Sequence, residues 1–289
     1  MHQIVEVLIS GIMLGAVYAL FAVGLSLVYG VTRVLNFSYG TIYTIAGYIA
    51  WVMTVGYLEV SYPLVFLVVI PTLFVLGMGL ERLVIRPLRW KPKWNITTMM
   101  VTLGVAFFID NANLIIFGPD NKVLPPLAPG KLEALGFVLS YHEIIVFLIA
   151  LVLVAALELF LRSSRYGQAM RAVAQDMQGA NMVGINANQI FGYAFGLSAV
   201  LAGLAGVLLA PINLISPLGG WHPFLKAFVI VVLGGLGSTR GTLVAAFILG
   251  IIESYAMYWI GASWAMPLWL LTLLAILIFR PRGLFGVWT

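Results

Sequence analysis

Long apolar runs recur along the whole chain, separated by short polar segments, and they predict membrane-spanning helices. An α-helix needs roughly 20 residues to cross the hydrocarbon of a bilayer. Two of the runs are shorter than that, and either one is compatible with a half-helix, so the pattern predicts eight to ten spans. The nine candidate spans are residues 7–29, 38–57, 62–84, 96–118, 141–161, 189–212, 224–238, 243–260 and 266–279.

One polar segment interrupts this pattern, the stretch RAVAQDMQGANMVGI from Arg171 to Ile185. Its apolar residues recur at spacings of four and three, which predicts one amphipathic helix that ends at the small residue Gly184. The apolar stripe comprises Ala169, Val173, Met177, Ala180 and Gly184, and the opposite face carries Arg171, Gln175 and Gln178. Such a helix needs an apolar environment along one face and a polar environment along the other.

The composition indicates which solvent surrounds the chain. Of its 289 residues, 62% are hydrophobic and 9% are charged, whereas a soluble domain carries about 25% charged residues. We therefore expect an all-α integral membrane protein, with residues 1–289 forming a single membrane domain. The first apolar run lacks a basic leader and exceeds signal-peptide length, so we expect a retained helix. The absence of cysteine excludes disulfides and cysteine-ligated metals.

The basic residues predict the orientation of the chain. Twelve of them fall in one set of connections and three in the other. The first set comprises Arg33, Arg82, Arg86, Arg89, Lys91, Lys93, Arg162, Arg165, Arg171, Arg240, Arg280 and Arg282; the second comprises Lys122, Lys131 and Lys226. The positive-inside rule then predicts an outside N-terminus and an inside C-terminus. Basic residues dispersed in this way set topology and do not indicate a nucleic-acid partner.

The proline-rich outside loop 119–140 is expected to be irregular and stiff.

Sequence motifs for catalysis and for metal or nucleotide binding are missing from the chain. His2, His142 and His222 are widely separated, and no metalloprotease or nucleophile-elbow motif occurs. The stretch LGGLGSTRG lacks the Lys-Ser/Thr ending of a phosphate loop. It instead predicts a glycine-permitted break or tight cytoplasmic turn, with hinge or gate candidates Gly234, Gly235, Gly237 and Gly241. Any ATP that drives this protein would therefore bind to another chain.

Two carboxylates lie deep within predicted spans, Asp110 and Glu253. Inserting one at such depth costs about 2.5–3.5 kcal/mol, so each should face protein or a wet cavity. They are interpreted either as lining a translocation pathway together with Asn111, or as helix–helix contacts with Asn111, Asn113 or Ser254. An intramembrane pair of the two acids is a further possibility that spacing alone does not establish.

The stretch NFSYGTIYT, residues 36–44, breaks the apolar pattern at the start of a span. Its polar residues either line a polar route or satisfy the helix N-terminus, with Asn36 or Ser38 as the cap. The pathway candidates in this stretch are Asn36, Ser38, Tyr39 and Thr41.

Four stretches carry a resemblance to a known family: GAVYALFAVGLSLVYGVTRVLNFSYGTIYTIAGYIA, LERLVIRPLR, RYGQAMRAVAQDMQGANMVGI and KAFVIVVLGGLGSTRGTLVAAFILGIIES. Together they resemble the LivH-type permeases of bacterial ABC importers for branched-chain amino acids. The resemblance runs in order from about residue 8 to the ending RPRGLFG. The family also includes permeases for urea, short amides and some aromatic acids.

The resemblance implies partners and a location. They are a second, homologous permease, two cytoplasmic ATPases that hold ATP and Mg, and a periplasmic solute-binding protein, with this chain in the bacterial inner membrane and without a cofactor of its own. Alternating access would then be driven by the ATPases. The rival interpretation is a proton-coupled secondary transporter that uses Asp110 and Glu253.

The resemblance also implies a role for the polar segment. It would be the coupling segment, about residues 162–188, that docks in a groove of the ATPase; an interfacial helix lying on lipid is the alternative. The implied coupling residues are Arg171, Ala172, Gln175, Asp176, Ala180, Gly184 and Ile185. The stretches FSYGTIYTIAGYIA and FLKAFVIVVLGGLG would run in opposite directions within an inverted repeat.

Overall fold

The chain folds as a helical bundle in a computed structural model that describes residues 2–56, 58–134, 137–280 and 283–285. Over these ranges the α-helices are α1 (His2–Thr32), α2 (Tyr39–Trp51), α3 (Tyr62–Leu80), α4 (Trp94–Phe117), α5 (Tyr141–Ser163), α6 (Arg165–Gln175), α7 (Met177–Met182), α8 (Ala187–Leu209), α9 (Trp221–Gly234), α10 (Thr239–Trp259) and α11 (Ala265–Phe279). Single π-helical turns continue α2 over Val52–Gly56 and α3 over Glu81–Ile85, and 3-10 turns cover Arg86–Trp90 and Ala262–Trp264.

Seven helical stretches in the described part of the chain are long and apolar enough to cross a membrane. Two further helices, α2 and α9, coincide with predicted spans but are shorter, at 13 and 14 residues. At 1.5 Å per residue α9 is about 21 Å long, less than the hydrocarbon thickness of about 30 Å. The prediction of an all-α, multi-pass membrane bundle is confirmed.

Small residues set the packing at the centre of the bundle, where α1 lies against α10 and α8 lies against α2. A side chain at Gly11 would meet the backbone of Ile251, and one at Gly15 would meet the backbone of Phe247. Gly206 of α8 faces the backbone of Tyr43 in the same way. Helices in lipid lack a hydrophobic drive to associate, so such close backbone approaches supply much of their attraction.

The loop 119–140 is more ordered than its four prolines predict. It contains an antiparallel hairpin of β1 (Lys131–Ala134) and β2 (Phe137–Ser140). Lys122 exchanges two backbone hydrogen bonds with Ile215, at 2.8 and 3.0 Å, and the Tyr62 hydroxyl donates to the Pro125 carbonyl. The loop therefore fastens α3 and α4 to the connection between α8 and α9.

The polar segment forms two helices, and the prediction of one continuous helix over Arg171–Ile185 is wrong. Asp176 has extended backbone angles and ends α6; its Oδ1 then accepts the Gln178 N–H at 2.9 Å and caps α7. Because α7 starts afresh, the predicted apolar stripe is split: Val173 and Ala180 are buried, whereas Met177 is 45% exposed. Gly184 has a φ of +88° and lies just after the end of α7, at the position where the sequence predicts that the helix ends.

The orientation of the chain can be tested by single-cysteine labelling, because the sequence is cysteine-free and both positions are exposed. A cysteine at Asn121, in the predicted outside loop, should react with an impermeant maleimide added to intact cells. A cysteine at Gln178, in α7, should react only after the membrane is opened. Labelling of both positions in intact cells would contradict the predicted topology, and the cysteine-free chain serves as the blank.

Candidate translocation site

The short helix α9 contacts both Asp110 and Glu253. Its first residue, Trp221, contacts Asp110, and Lys226, about one and a half turns later, contacts Glu253. Asp110 of α4 is 2% exposed, and its Oδ2 accepts the indole N–H of Trp221 at 2.8 Å. Trp221 also lies beside Phe224 and Phe107, with ring centroids 6.2 and 5.8 Å away. This contact joins α4 to the start of α9.

Glu253 of α10 forms an ion pair with α9. The Lys226 ammonium donates to Glu253 Oε1 at 2.5 Å and to the Tyr18 hydroxyl at 2.8 Å. The rings of Tyr18 and Trp269 lie 4.9 and 5.5 Å from the Lys226 nitrogen. A charge is tolerated at such depth only when it is paired and surrounded by polar or aromatic groups.

The two carboxylates thus have different partners and are not hydrogen-bonded to one another. Of the predicted helix–helix contacts, Ser254 is used elsewhere: its hydroxyl donates to the Val7 carbonyl of α1 at 2.7 Å. Asn111 is exposed and donates to the Phe107 carbonyl of its own helix, at 2.7 Å, so the structure does not bring it to Asp110. Asn113, two residues on, is buried instead.

The polar residues around the start of α2 are buried and hydrogen-bond to one another and to neighbouring helices. Asn36 Oδ1 accepts both the backbone N–H of Ser38, at 3.1 Å, and its hydroxyl, at 2.7 Å. The Thr41 hydroxyl donates to the Ser38 carbonyl, and the Tyr39 hydroxyl donates to the Phe21 carbonyl. The Ser38 side chain makes no capping hydrogen bond to α2, so Asn36 is the residue that satisfies this terminus.

The start of α2 packs against the start of α9. The contacts pair Phe37 with Phe224, Gly40 with Gly220, and Gly47 with Ile215, in opposite sequence order. The first turn of α2 and the segment that enters α9 are therefore antiparallel where they meet. A side chain at Gly40 or at Gly220 would overlap the carbonyl of the other glycine.

Two cavities adjoin α9. The Lys226 cavity, of about 600 Å³, lies at the start of α9, and the Arg171 cavity, of about 830 Å³, lies near its end. Polar residues of the Lys226 cavity include Tyr18, Tyr43, Glu143, Asn213, His222 and Lys226. Those of the Arg171 cavity include Arg33, Glu158, Arg162, Arg171, Gln175 and Arg240. Helix α1 lines both cavities, with its middle part buried between them.

The predicted hinge glycines form a tight turn beside the Arg171 cavity. Gly235 and Gly237 have φ of +99° and +85°, a backbone region that glycine occupies without a steric penalty. Gly234 and Gly241 are in backbone contact across the turn, and Gly237 packs on Gly30 of α1. The turn is thus fitted closely into its neighbours, and Gly234, Gly237 and Gly241 have no room for side chains.

The predicted coupling residues are placed around α6 and α7 in different environments. Arg171 and Gln175 line the Arg171 cavity. Ala180 is buried, Ala172 and Ile185 are partly buried, and Asp176 and Gly184 are exposed. The exposed apolar residues there are Met177, Met182 and Val183, of which the last two are 87% and 77% exposed. The sequence analysis did not single out Met182 or Val183, because a single helix would have ended with them outside the stripe.

Some buried partners were missed by the sequence analysis. Trp221 and Lys226 are the partners of the two carboxylates, and no spacing rule connects positions that lie 111 and 27 residues apart. The one sequence signal for these contacts was Lys226 itself, a charged residue two positions into the predicted span 224–238. Arg89 was missed in the same way: it bonds to Glu81 and, at 2.6 Å, to Asn188, which joins α3 to the start of α8.

The Asp110–Trp221 contact supports a specific prediction. Asp110→Asn should retain folded yield and transport, because the amide oxygen still accepts the indole N–H. Asp110→Leu leaves that buried N–H without its acceptor, a loss of about 1–3 kcal/mol, and should lower the thermal midpoint of the purified protein. Normal yield with lost transport in Asp110→Asn would instead indicate that the charge itself acts in the pathway.

The fold and these buried polar contacts define a class, a multi-pass helical membrane protein with charged residues around a short central helix. Comparison with known proteins specifies the family. The family described as the branched-chain amino acid transport system permease component matches residues 7–279. The chain belongs to this family, whose members are transport permease subunits. No solved structure matches the chain.

The chain is similar to curated permeases over nearly its full length. It is 32% identical to the high-affinity branched-chain amino acid transport system permease protein BraD of Pseudomonas aeruginosa, over 99% of this chain and 96% of that protein. It is 29% identical to the corresponding protein LivH of Escherichia coli K12, over 96% and 94%. A probable branched-chain amino acid transport permease of Methanocaldococcus jannaschii is 28% identical, over 93% and 88%.

Proposed function

We propose that this chain is the permease subunit of an ATP-driven importer for branched-chain amino acids or related small solutes, including urea and amides. It works beside a second homologous permease, two cytoplasmic ATPases that hold ATP and Mg, and a periplasmic binding protein, in the bacterial inner membrane. Family membership and the names of the similar permeases support this assignment.

The observation that carries the proposal is the position of the predicted coupling segment. Helices α6 and α7 present the exposed residues Met182 and Val183 on one side, and Arg171 and Gln175 line the Arg171 cavity on the other. Movement of this segment by a docked ATPase would therefore change the shape of that cavity directly. An exposed apolar pair at the end of a short helix is suited to insertion into a partner groove.

Alternating access would follow from the two cavities. Helix α1 borders the Lys226 cavity through Tyr18 and the Arg171 cavity through Gly30 and Val31. A tilt of α1 and α9 that widens one cavity narrows the other. ATP binding and hydrolysis on the partner subunits would supply the energy for this exchange, since this chain has no phosphate-loop sequence.

The test is purification of the complex through a tag on this chain, followed by reconstitution in liposomes. We expect two ATPase subunits and a second permease to co-purify. ATP hydrolysis should rise when binding protein is added with leucine, urea, acetamide or benzoate, and the active solute defines the cargo. Uptake that needs no ATPase and collapses when the proton gradient is dissipated at constant ATP would replace this proposal with the proton-coupled transporter.

A further inference from the structure

The Lys226 ammonium is the cationic group of a cavity otherwise lined largely by apolar residues. Its side chain is 19% exposed, while the side chain of its partner Glu253 is fully buried. The accessible part of the ion pair is therefore the cation of Lys226, which lines the Lys226 cavity. Glu253 is buried and is not among the residues that line this cavity. A molecule in this cavity meets a positive charge.

The hydrogen bonds of Lys226 leave one donor available. An ammonium has three N–H groups, and among the described residues two are used, by Glu253 and Tyr18. Glu253 pairs with the amine, and the rings of Tyr18 and Trp269 lie beside it, so its position is fixed. The site is thus a preorganised cation with one remaining donor, which suits a carboxylate acceptor.

The same cavity holds a negative group and an apolar wall. Glu143 of α5 lines it and makes no salt bridge within the described ranges of the chain. The apolar residues Met13, Val17 and Leu209 lie on the wall of the same cavity. A cavity with separated cationic and anionic groups and apolar walls matches a zwitterion with an apolar side chain.

We infer that the Lys226 cavity is a binding site for an α-amino acid zwitterion, whose carboxylate pairs with Lys226 and whose ammonium faces Glu143. The inference rests on the proposed function and narrows it, because urea and simple amides lack the carboxylate that Lys226 recognises. Glu253 is then a positioning residue that holds the Lys226 side chain in place through the ion pair.

The experiment uses the complete complex in nanodiscs, without binding protein, so that only the permease site is measured. A reporter cysteine at Asn213 or, separately, at Met257 places one thiol on the cavity wall. L-leucine in the millimolar range should slow maleimide labelling of this thiol several-fold. Leucinamide, which lacks the carboxylate, and urea and acetamide should leave the rate unchanged.

The variants separate recognition from structure. Lys226→Met/Glu253→Gln removes both charges together and should keep the folded yield but lose protection by leucine. Glu253→Gln alone leaves Lys226 and an amide oxygen that can still accept its N–H, so protection should weaken but not disappear. Lys131→Met, an exposed lysine in β1, is the matched control and should behave as the parent reporter.

Three results would overturn the inference. They are equal protection by leucine and leucinamide in the parent reporters, protection that survives in the double variant, and loss of protection in Glu253→Gln to the same extent as in the double variant. The first comparison needs no folded variant. Failure of the proposed function would look different, as missing ATPase partners or absent stimulation of ATP hydrolysis. The labelling assay measures no ATP hydrolysis, and it can be run on this chain with whatever subunits co-purify.

Discussion

Asp176→Lys is expected to reduce substrate-stimulated ATP hydrolysis and uptake at least about tenfold while the chain still inserts and folds. The substitution removes the cap of α7, which costs about 1 kcal/mol, and places a positive charge on the exposed junction between α6 and α7. Each 1.4 kcal/mol of lost docking energy lowers association about tenfold. Co-purified ATPase and uptake in proteoliposomes are the measurements.

The matched control is Asp176→Asn, which keeps the oxygen that accepts the Gln178 N–H. It should retain most of the uptake.

At the other end of α7, Gly184→Trp adds bulk and forces a non-glycine residue to φ of +88°, whereas Gly184→Asn tolerates this region better. Wild-type uptake and ATPase recovery in both Asp176→Lys and Gly184→Trp would show that this segment is not the coupling element.

Gly220→Ala is expected to cause a large loss of folded protein for a single added methyl group. The added Cβ would overlap the Gly40 carbonyl, so α2 and α9 would have to separate at their first turns. Overpacking of this kind costs about 1–3 kcal/mol. The fraction that stays monodisperse on size exclusion after heating in detergent measures the effect.

Gly104→Ala is the matched control for this change. Gly104 is exposed on α4 and has no atom near the position of an added Cβ. Alanine removes the helix penalty of glycine there, about 1 kcal/mol in water, so the heated fraction should equal or exceed that of the parent. Equal stability of Gly220→Ala and Gly104→Ala would contradict the close contact of α2 and α9.

The spans could be predicted because hydrophobic length and basic flanks are local properties of the sequence. All nine predicted spans coincide with helices, and the short run at 224–238 proves to be the short helix α9. The helix-ending role of Gly184 was likewise readable, since the signal lies within one turn. The glycine-rich stretch after α9 was predicted as a turn on the same local grounds.

The remaining features depend on contacts between distant residues. Asp176 is compatible with a helix interior by periodicity, and only the observed backbone shows that it ends one helix and caps the next. The partner of Glu253 is set by how α9 packs on α10, which a hydropathy pattern does not contain. Asn111 was favoured by its closeness to Asp110 in sequence, but consecutive helical residues point in different directions.

The position of α9 between two cavities has an electrical consequence. Lys226 borders one cavity and Val232 the other, and six residues of helix span about 9 Å. With water in both cavities, most of the membrane potential falls across this short septum. A net charge that crosses it exchanges about 2.3 kcal/mol per 100 mV with the potential. The proposed cargo, a zwitterion, carries no net charge, so under the proposed function the voltage would not drive its passage and ATP would set the direction of transport.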